Sequence, residues 1–397
     1  MMRKAISDKI IVVGIDGMDP RLTRKYVDEG KMPNVAKLIE KGACRQDLAM
    51  VGAMPTVTPP MWTTLATGAY PGTHGITCFF RATKEPDKIA YNFDSRLCKA
   101  EQLWNVFAEA GRKTLVWHWP GSAWPPSSDS PNLYVVDGTS PGSVGMSAGT
   151  VEQEFMVGAN INNKVTTFIE KAAAPGVQPC VVNDLDLEQF EKSDSLTMAE
   201  STSGNDISCY VLDRKDGQGG SPDNLMDLQV STIEPAHGWE NASEDAKEFV
   251  ILLGRGMIRR PSLILKNEDG IYDRIAIYKN KKEAEPIVVI RKGEFVRQII
   301  DDGIKGEEKI ICNRNMRLLR LEEDGSSLKL WVSSAMDTNL DAVWHPKSLY
   351  KTVTENIGYP TPTTMNGLQD SELIQEVMLE NWYSSLDWQA DSLNYLI

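Results

Sequence analysis

The sequence predicts an α/β protein, and two apolar segments indicate this class. KIIVVGID (residues 9–16) is a β-branched run without polar alternation, which is typical of a parallel strand buried on both faces. KTLVWHW (residues 113–119) is a second such run, and helical patterns lie between the two. Strands that alternate with helices over short links predict an open parallel sheet flanked by helices.

Four helices are predicted between these two strands from their start and stop residues. Asp19 precedes Pro20, which is the pattern of an N-cap followed by proline at the first helical position. The other three helices are bounded by proline, glycine or polar residues at 33 to 42, 58 to 68 and 99 to 110. The N-terminal part therefore has the element order of a parallel α/β domain.

The pattern changes near residue 140, in the Gly/Ser-rich stretch GTSPGSVGMSAGT. Beyond it, short apolar runs separated by turn sequences such as NEDG and EEDGSS predict an antiparallel, β-rich segment. The C-terminal residues return to a helical pattern, for which Asp370-Ser371 is a candidate cap. We predict a core at 1–145 that carries Asp16 and Thr58, a β-rich insertion or cap at 146–340, and a return of helices to the core at 341–397.

Composition excludes several classes of partner. The chain has 397 residues with 42 basic and 55 acidic side chains, a net charge of −13. This balance argues against binding to nucleic-acid polymers or anionic membranes, which need a basic face. No apolar run approaches the roughly 20 residues of a membrane span. The six scattered cysteines form no CxxC pair, which favours free thiols and a cytoplasmic location.

Asp16 is the candidate metal ligand. It follows the first predicted strand directly, between Gly14 and Gly17, and ligand crevices of open α/β sheets lie outside the carboxyl ends of the strands. A carboxylate at that point suits a hard or borderline cation. The alternative is that Asp16 caps the next turn, a role that Asp19 fits better.

Thr58 is the candidate nucleophile. Because it precedes Pro59, we expect its hydroxyl at the N-cap of a helix, where phosphate binds. Pro59 and Pro60 lack N–H groups, so Met61 and Trp62 are expected to carry the first free donors. A hydroxyl there attacks phosphorus when a metal lowers its pKa. The alternative is a threonine that only caps the helix.

Four motifs follow one another between residues 14 and 75. They are G-x-D-G from Gly14, P-N-x-x-x-L-x-x-x-G from Pro33, P-T-x-T-x-P from Pro55 and T-G-x-Y-P-x-x-H-G from Thr67. In order and spacing this run resembles the type I phosphodiesterase/nucleotide pyrophosphatase family of the alkaline phosphatase superfamily.

The resemblance implies an alkaline-phosphatase-like parallel-sheet core flanked by helices, with a β-rich insertion. It implies metal-dependent hydrolysis of a phosphodiester or nucleotide-type phosphoester. Asp16 would bind one of two divalent ions, zinc or else manganese, and Thr58 would be both metal ligand and nucleophile. His74 lies in the matching motif but is not a family metal ligand, so we expect it to be structural. The partner would be a small phosphorylated substrate; its binding residues and the oligomeric state stay open.

Two departures from the family pattern limit the transfer. Many nucleotide pyrophosphatases have asparagine three residues after the nucleophile, where this chain has Met61. The family also completes its site with later Asp and His residues, including a D-H pair, and no D-H pair occurs here. The one D-x-x-x-H match is Asp341 to His345, and no predicted strand comes immediately before Asp341. We expect the second metal site to be incomplete and the chain to lack the C-terminal part that would complete it.

Two further histidines carry little functional signal. His118 lies among tryptophans and could form an aromatic wall beside a cleft, but packing is the commoner role of such residues. His237 is in the β-rich segment, and we expect a surface or turn position away from any acidic pair.

The sequence therefore predicts a phosphodiesterase or nucleotide pyrophosphatase-type hydrolase, with two alternatives. The chain could be a catalytically incomplete fragment or degenerate homologue, or a phosphomutase of the same superfamily. A sulfatase is disfavoured because the segment after Thr58 lacks that family's cysteine or serine nucleophile and its arginine.

Overall fold

The structure is a computed structural model that describes most of the chain. The described residues are 8–137 except 51, 53 and 86, then 149–161, 196–198, 209–214, 227–254, 257–362 and 372–397. The predicted cap at Asp370-Ser371 and most of the Gly/Ser-rich stretch lie outside them. The fold is mixed α/β with seven α-helices in the described residues. The chain divides into two compact units, Met1–Leu133 and Tyr134–Ile397.

The first unit carries the predicted helices. They are α1 (Pro20–Asp28), α2 (Pro33–Lys41), α3 (Thr58–Thr67), α4 (Pro71–His74) and α5 (Leu103–Glu109). The predicted cap of α1 is confirmed, because the carboxylate of Asp19 accepts from the backbone N–H of Arg21 at 2.7 Å and of Leu22 at 3.1 Å. Helix α3 ends as expected at Gly68, whose φ of +67° suits a residue without a Cβ.

The strands of the first unit are short. Strands β1 (Phe80–Ala82) and β2 (Ile89–Tyr91) form an antiparallel hairpin. Strand β3 (Thr114–Trp117) confirms the strand predicted in KTLVWHW.

The strand predicted in KIIVVGID is wrong for this structure. Residues 9–15 have no regular secondary structure, and the side chains of Ile10 and Val13 are 65% and 79% exposed. A buried parallel strand needs hydrogen-bonded neighbours on both edges, and no described strand pairs with this segment. The parallel core that the resemblance implies is therefore not observed in the described part of the first unit.

The second unit is built mainly from two sheets. The remaining strands of the described chain are β4 Leu133–Val136, β5 Thr150–Glu152, β6 Phe155–Asn160, β7 Leu196–Met198, β8 Cys209–Arg214, β9 Asp227–Thr232, β10 Glu234–Pro235, β11 Lys247–Leu253, β12 Ile258–Lys266, β13 Tyr272–Ile277, β14 Val288–Arg291, β15 Phe295–Lys305, β16 Glu308–Leu321, β17 Ser327–Val332, β18 Ala335–Asp337 and β19 Trp344–His345. One sheet has five antiparallel strands in the order β10-β11-β12-β13-β14, and the other has nine strands in the order β5-β18-β16-β17-β6-β9-β8-β7 with β15 beside β16. The pairing of β6 with β9 is parallel.

A hydrophobic core joins the inward faces of these sheets. It includes Phe249 and Ile251 of β11, Ile275 of β13, and Leu318 and Leu330 of β16 and β17, all fully buried. Strands β11 and β12 are buried along most of their length, so they occur in the sequence as apolar runs bounded by turn residues.

Two helices close the described chain. Helix α6 spans Lys347–Asn356 and helix α7 spans Glu372–Leu396, as the helical pattern of the C-terminal residues predicts. Among the helices that the structure describes, none is long and apolar enough to cross a lipid bilayer.

Candidate active site around Asp16 and Thr58

The structure places Asp16 and Thr58 in contact, although 42 positions separate them in the chain. The hydroxyl of Thr58 donates to Oδ2 of Asp16 at 3.3 Å. Asp16 lies in the turn after the apolar segment, where Gly17 has a φ of +66°, and its carboxylate is exposed. Thr58 is the first residue of α3. The arrangement offers a hydroxyl nucleophile beside a carboxylate that can accept its proton.

Trp62 is a third residue of this site, and the sequence alone did not identify it as one. Its indole Nε1–H donates to Oδ1 of Asp16 at 2.8 Å. The signal that could have found it is helical spacing, because residues four apart lie on one helix face and Trp62 is four after Thr58. Thr58 and Trp62 thus occupy one face of α3, and each contacts a different oxygen of the same carboxylate.

The expected position of Thr58 at the helix N-cap is wrong by one residue. Val57 is the N-cap, and the backbone N–H of Met61 donates to the carbonyl of Val57 at 3.2 Å, so Met61 carries no free helical donor. Since Pro59 and Pro60 have no N–H, Thr58 supplies the single backbone N–H among the first three helical positions. The start of α3 is thus a weaker anion site than a helix whose first turn keeps all its donors.

His74 has the structural role that we expected. Its side chain is fully buried at the end of α4, where Nε2 lies 3.1 Å from Thr64 Oγ1 and Nδ1 accepts from the backbone N–H of Ile76 at 3.1 Å. Burial lowers the pKa of His74, which keeps the imidazole neutral. It therefore joins α3 to α4 and the loop after α4.

The other histidines are dispersed. His118 is half-buried with a φ of +49°, and its ring lies 5.0 Å from that of Trp117. In the D-x-x-x-H match from Asp341 to His345, the carboxylate of Asp341 forms an ion pair with Lys347 Nζ at 3.3 Å. The observed partner of Asp341 is thus a lysine.

His237 has the surface position that we expected, with its side chain 53% exposed, and it contacts one carboxylate, not an acidic pair. Nδ1 of His237 is 2.9 Å from Oε1 of Glu248, a side chain with no exposed surface. Trp239 Nε1 and Lys281 Nζ also contact this carboxylate, at 2.7 and 2.8 Å. Donors from neighbouring side chains therefore balance the buried carboxylate of Glu248. His237 is one of these donors, so its role is structural.

The residues around Asp16 do not fit the two-ion site that the resemblance implies. Asp16 and Thr58 supply two oxygen ligands, whereas a catalytic zinc ion takes three from the protein. In the described residues, no three His, Cys, Asp or Glu side chains come together in a group that could hold a metal ion. Cys44, Cys78, Cys98 and Cys312 are free thiols, as expected.

The fold and this site define a mixed α/β protein with a hydroxyl–carboxylate pair at a helix start. The model of the type I phosphodiesterase / nucleotide pyrophosphatase family matches residues 10–202, about half of the chain, and this segment includes both Asp16 and Thr58. Residues 10–202 are therefore similar to this family, which is part of the alkaline phosphatase superfamily. The match supports phosphoester hydrolysis as the general reaction class. No curated protein and no solved structure matches the chain.

Proposed function

We propose that this protein hydrolyses a phosphodiester or nucleotide-type phosphoester with Thr58 as the nucleophile. The observation that carries the proposal is the 3.3 Å hydrogen bond from the Thr58 hydroxyl to Asp16. It is supported by the family match, which spans both residues. The α/β core at 1–145, the β-rich insertion at 146–340, the helical return at 341–397 and the cytoplasmic location belong to the same proposal.

The chain's own groups suffice to write a first step. Thr58 Oγ attacks phosphorus as its proton passes to Asp16 Oδ2, the P–O bond to one alcohol breaks, and that alkoxide takes a proton from water and leaves hydroxide. In the second step this hydroxide attacks phosphorus, the bond between phosphorus and Thr58 Oγ breaks, and Asp16 returns its proton to Thr58 Oγ. A phosphodiester thus yields an alcohol and a phosphomonoester. The backbone N–H of Thr58 lies at the positive end of α3 and favours the negative phosphoryl group.

The metal requirement stays a prediction. Two divalent ions, zinc or manganese, are what the resemblance implies, and Asp16 and Thr58 would be ligands of one of them. Because the described residues supply too few ligands, no step above depends on an ion.

Turnover of bis-p-nitrophenyl phosphate tests the proposal, with and without added Zn²⁺ or Mn²⁺. Thr58→Ala is expected to abolish turnover, because no other oxygen replaces the nucleophile. Thr58→Ser is expected to retain part of it. Thr56→Ala is the matched control, since Thr56 is an exposed threonine two residues earlier, in the segment that precedes α3. Full activity in Thr58→Ala would refute the assignment.

Two alternatives have distinct outcomes in the same assays. The incomplete ligand set around Asp16 favours a catalytically incomplete fragment or degenerate homologue, which predicts neither turnover nor tight metal binding by the wild-type chain. A phosphomutase predicts intramolecular transfer of the phosphoryl group on a phosphosugar without release of inorganic phosphate. Mass spectrometry of the chain after a short reaction separates the incomplete chain from the proposal, because only a nucleophilic Thr58 acquires the phosphoryl adduct. A phosphomutase that uses Thr58 would carry the same adduct, so it is distinguished by its failure to release the group to water.

A further inference from the structure

We propose that Trp62 is the positioning residue of the active site, which holds the Asp16 carboxylate so that one oxygen faces Thr58. This inference rests on the proposed function, because it concerns the same carboxylate and nucleophile. It begins from the division of the two carboxylate oxygens. Oδ1 accepts from Trp62 Nε1–H at 2.8 Å, and Oδ2 accepts from the Thr58 hydroxyl at 3.3 Å.

The stronger of these two bonds fixes the plane of the carboxylate. Asp16 is on an exposed turn without regular secondary structure, so its backbone alone restrains the side chain weakly. Trp62 is 8% exposed and belongs to a helix. A hydrogen bond from a buried, rigid donor to a charged acceptor is short and directional, and it limits rotation about the Asp16 side-chain torsions.

The indole ring is itself held on two sides. A Cβ built at Gly14 would lie 2.2 Å from Trp62 Cη2, so the ring packs directly on the backbone two residues before Asp16. On another side the ring of Trp119 meets it edge-on at 4.9 Å between centroids. Trp104 packs in turn against Trp119 at 5.5 Å. The ring thus joins the backbone at residue 14 to the carboxylate at residue 16.

This geometry assigns Trp62 a role that differs from packing. If it only filled space, any ring of the same shape would serve, and the Nε1–H would be dispensable. If it positions Asp16, the N–H is the group that matters. Loss of the bond leaves Oδ1 free to exchange with Oδ2, and Thr58 then faces a mobile acceptor.

The test replaces one group in the ring. Trp62→3-benzothienylalanine has the same bicyclic shape with sulfur in place of N–H. We expect kcat to fall about ten- to hundredfold, the range for loss of a hydrogen bond to a charged group, with KM nearly unchanged because the bond does not reach substrate. Trp62→5-fluorotryptophan retains the N–H and is expected to restore kcat. The same benzothienyl replacement at Trp104 is the matched control, with unchanged kcat.

An NMR measurement tests the bond independently of turnover. The Nε1–H resonance of Trp62, assigned by its loss in Trp62→Phe, is expected to move upfield in Asp16→Ala, whereas that of Trp104 stays in place. An unmoved Trp62 resonance overturns the inference whether or not the protein is active. A shifted resonance together with unchanged kcat in the benzothienyl variant also overturns it, yet leaves Thr58 as nucleophile intact. Inactivity of the wild-type chain with a shifted resonance refutes the proposed function while the positioning of Asp16 by Trp62 stands.

Discussion

Glu154, immediately before β6, is a buried acid whose ionised form is disfavoured in the folded protein. Its side chain is 2% exposed, and in the described part of the chain neither carboxylate oxygen has a hydrogen-bond partner of regular geometry. Loss of hydration raises the pKa of Glu154 from 4.5 to about 9, against a smaller lowering by the Trp331 indole. The folded protein therefore holds Glu154 as a neutral acid, whereas the unfolded chain ionises it near its ordinary pKa.

This difference makes stability fall as pH rises. Below the unfolded pKa of 4.5 both states bind the proton, and the full stability is present. Between 4.5 and about 9 only the folded state keeps the proton, so each pH unit costs on the order of 1 kcal/mol. At about pH 7.5, three units above the unfolded pKa, the cost reaches about 4 kcal/mol as an upper limit. Above the folded pKa both states are ionised and the loss levels off.

Glu154→Gln removes the titration and keeps the shape of the neutral acid. We expect the variant to be more stable than the wild type near pH 7.5 and equal to it below pH 5. Urea denaturation across this pH range, followed by tryptophan fluorescence, measures the difference as a shift in midpoint at constant m-value. Glu308→Gln, at an exposed position in β16, is the matched control and is expected to leave the pH profile unchanged. Parallel pH profiles for the wild type and Glu154→Gln would refute the reasoning.

Two further predictions concern packing and buried charge in the second unit. Gly303→Ala would place a Cβ 2.2 Å from Cys312 Sγ, and we expect it to lower the free energy of unfolding by about 1–3 kcal/mol in urea denaturation. Gly72→Ala is the control and is expected to have no such effect, because the space around Gly72 is open. Equal urea midpoints for the two variants would contradict this prediction. Arg260→Met would leave Asp301, now 2.6 Å from the guanidinium, buried without its cation, at a cost of about 3–5 kcal/mol; a wild-type thermal midpoint would contradict it.

Local chemistry was enough to predict most elements of the fold. The cap at Asp19 and the glycine stop at Gly68 act within a few residues, so the helix bounds follow from the sequence itself. Most strands between residues 247 and 332 are predictable for the same reason, because turn residues bound them, but β15 (Phe295–Lys305) was not predicted. The segment before Asp16 failed because apolar, β-branched residues report a preference for burial, whereas strand formation also needs a partner elsewhere in the chain.

Strand β16 is longer than the local sequence predicts, because contacts with distant residues extend it. The apolar runs EKIICN and MRLLRLEED each predict a short strand, and polar residues lie between them. The structure forms a single strand, Glu308–Leu321, because those polar residues have partners. Arg314 pairs with Glu152 at 3.1 Å, and the backbone N–H of Asn315 donates to Ser333 Oγ at 2.8 Å. Neither partner can be inferred from the residues near the strand.

Of the candidate site, the sequence predicts two of the three residues. Asp16 and Thr58 were found because their motifs have a fixed order, and the structure places the two side chains in contact. Their roles as metal ligand and nucleophile stay predictions. Trp62 was missed because a tryptophan on an apolar helix face is ordinarily a core residue. Only the 2.8 Å bond to Asp16 distinguishes its indole from packing.

Helix α7 illustrates why polar contacts, and not apolar area alone, select the face that a helix buries. Four large side chains at helical spacing form an apolar stripe that is about half exposed: Leu379, Trp382, Tyr383 and Leu386. The opposite face is buried although it carries Asn381, whose Oδ1 accepts from Asn315 Nδ2 at 2.8 Å. Trp388 Nε1 donates to the carbonyl of Gly358 at 2.9 Å. These two bonds favour this rotation of α7 about its axis, because Asn381 Oδ1 and Trp388 Nε1 would cost free energy if they were buried without partners. A sequence-based estimate that maximises apolar burial would choose the other face.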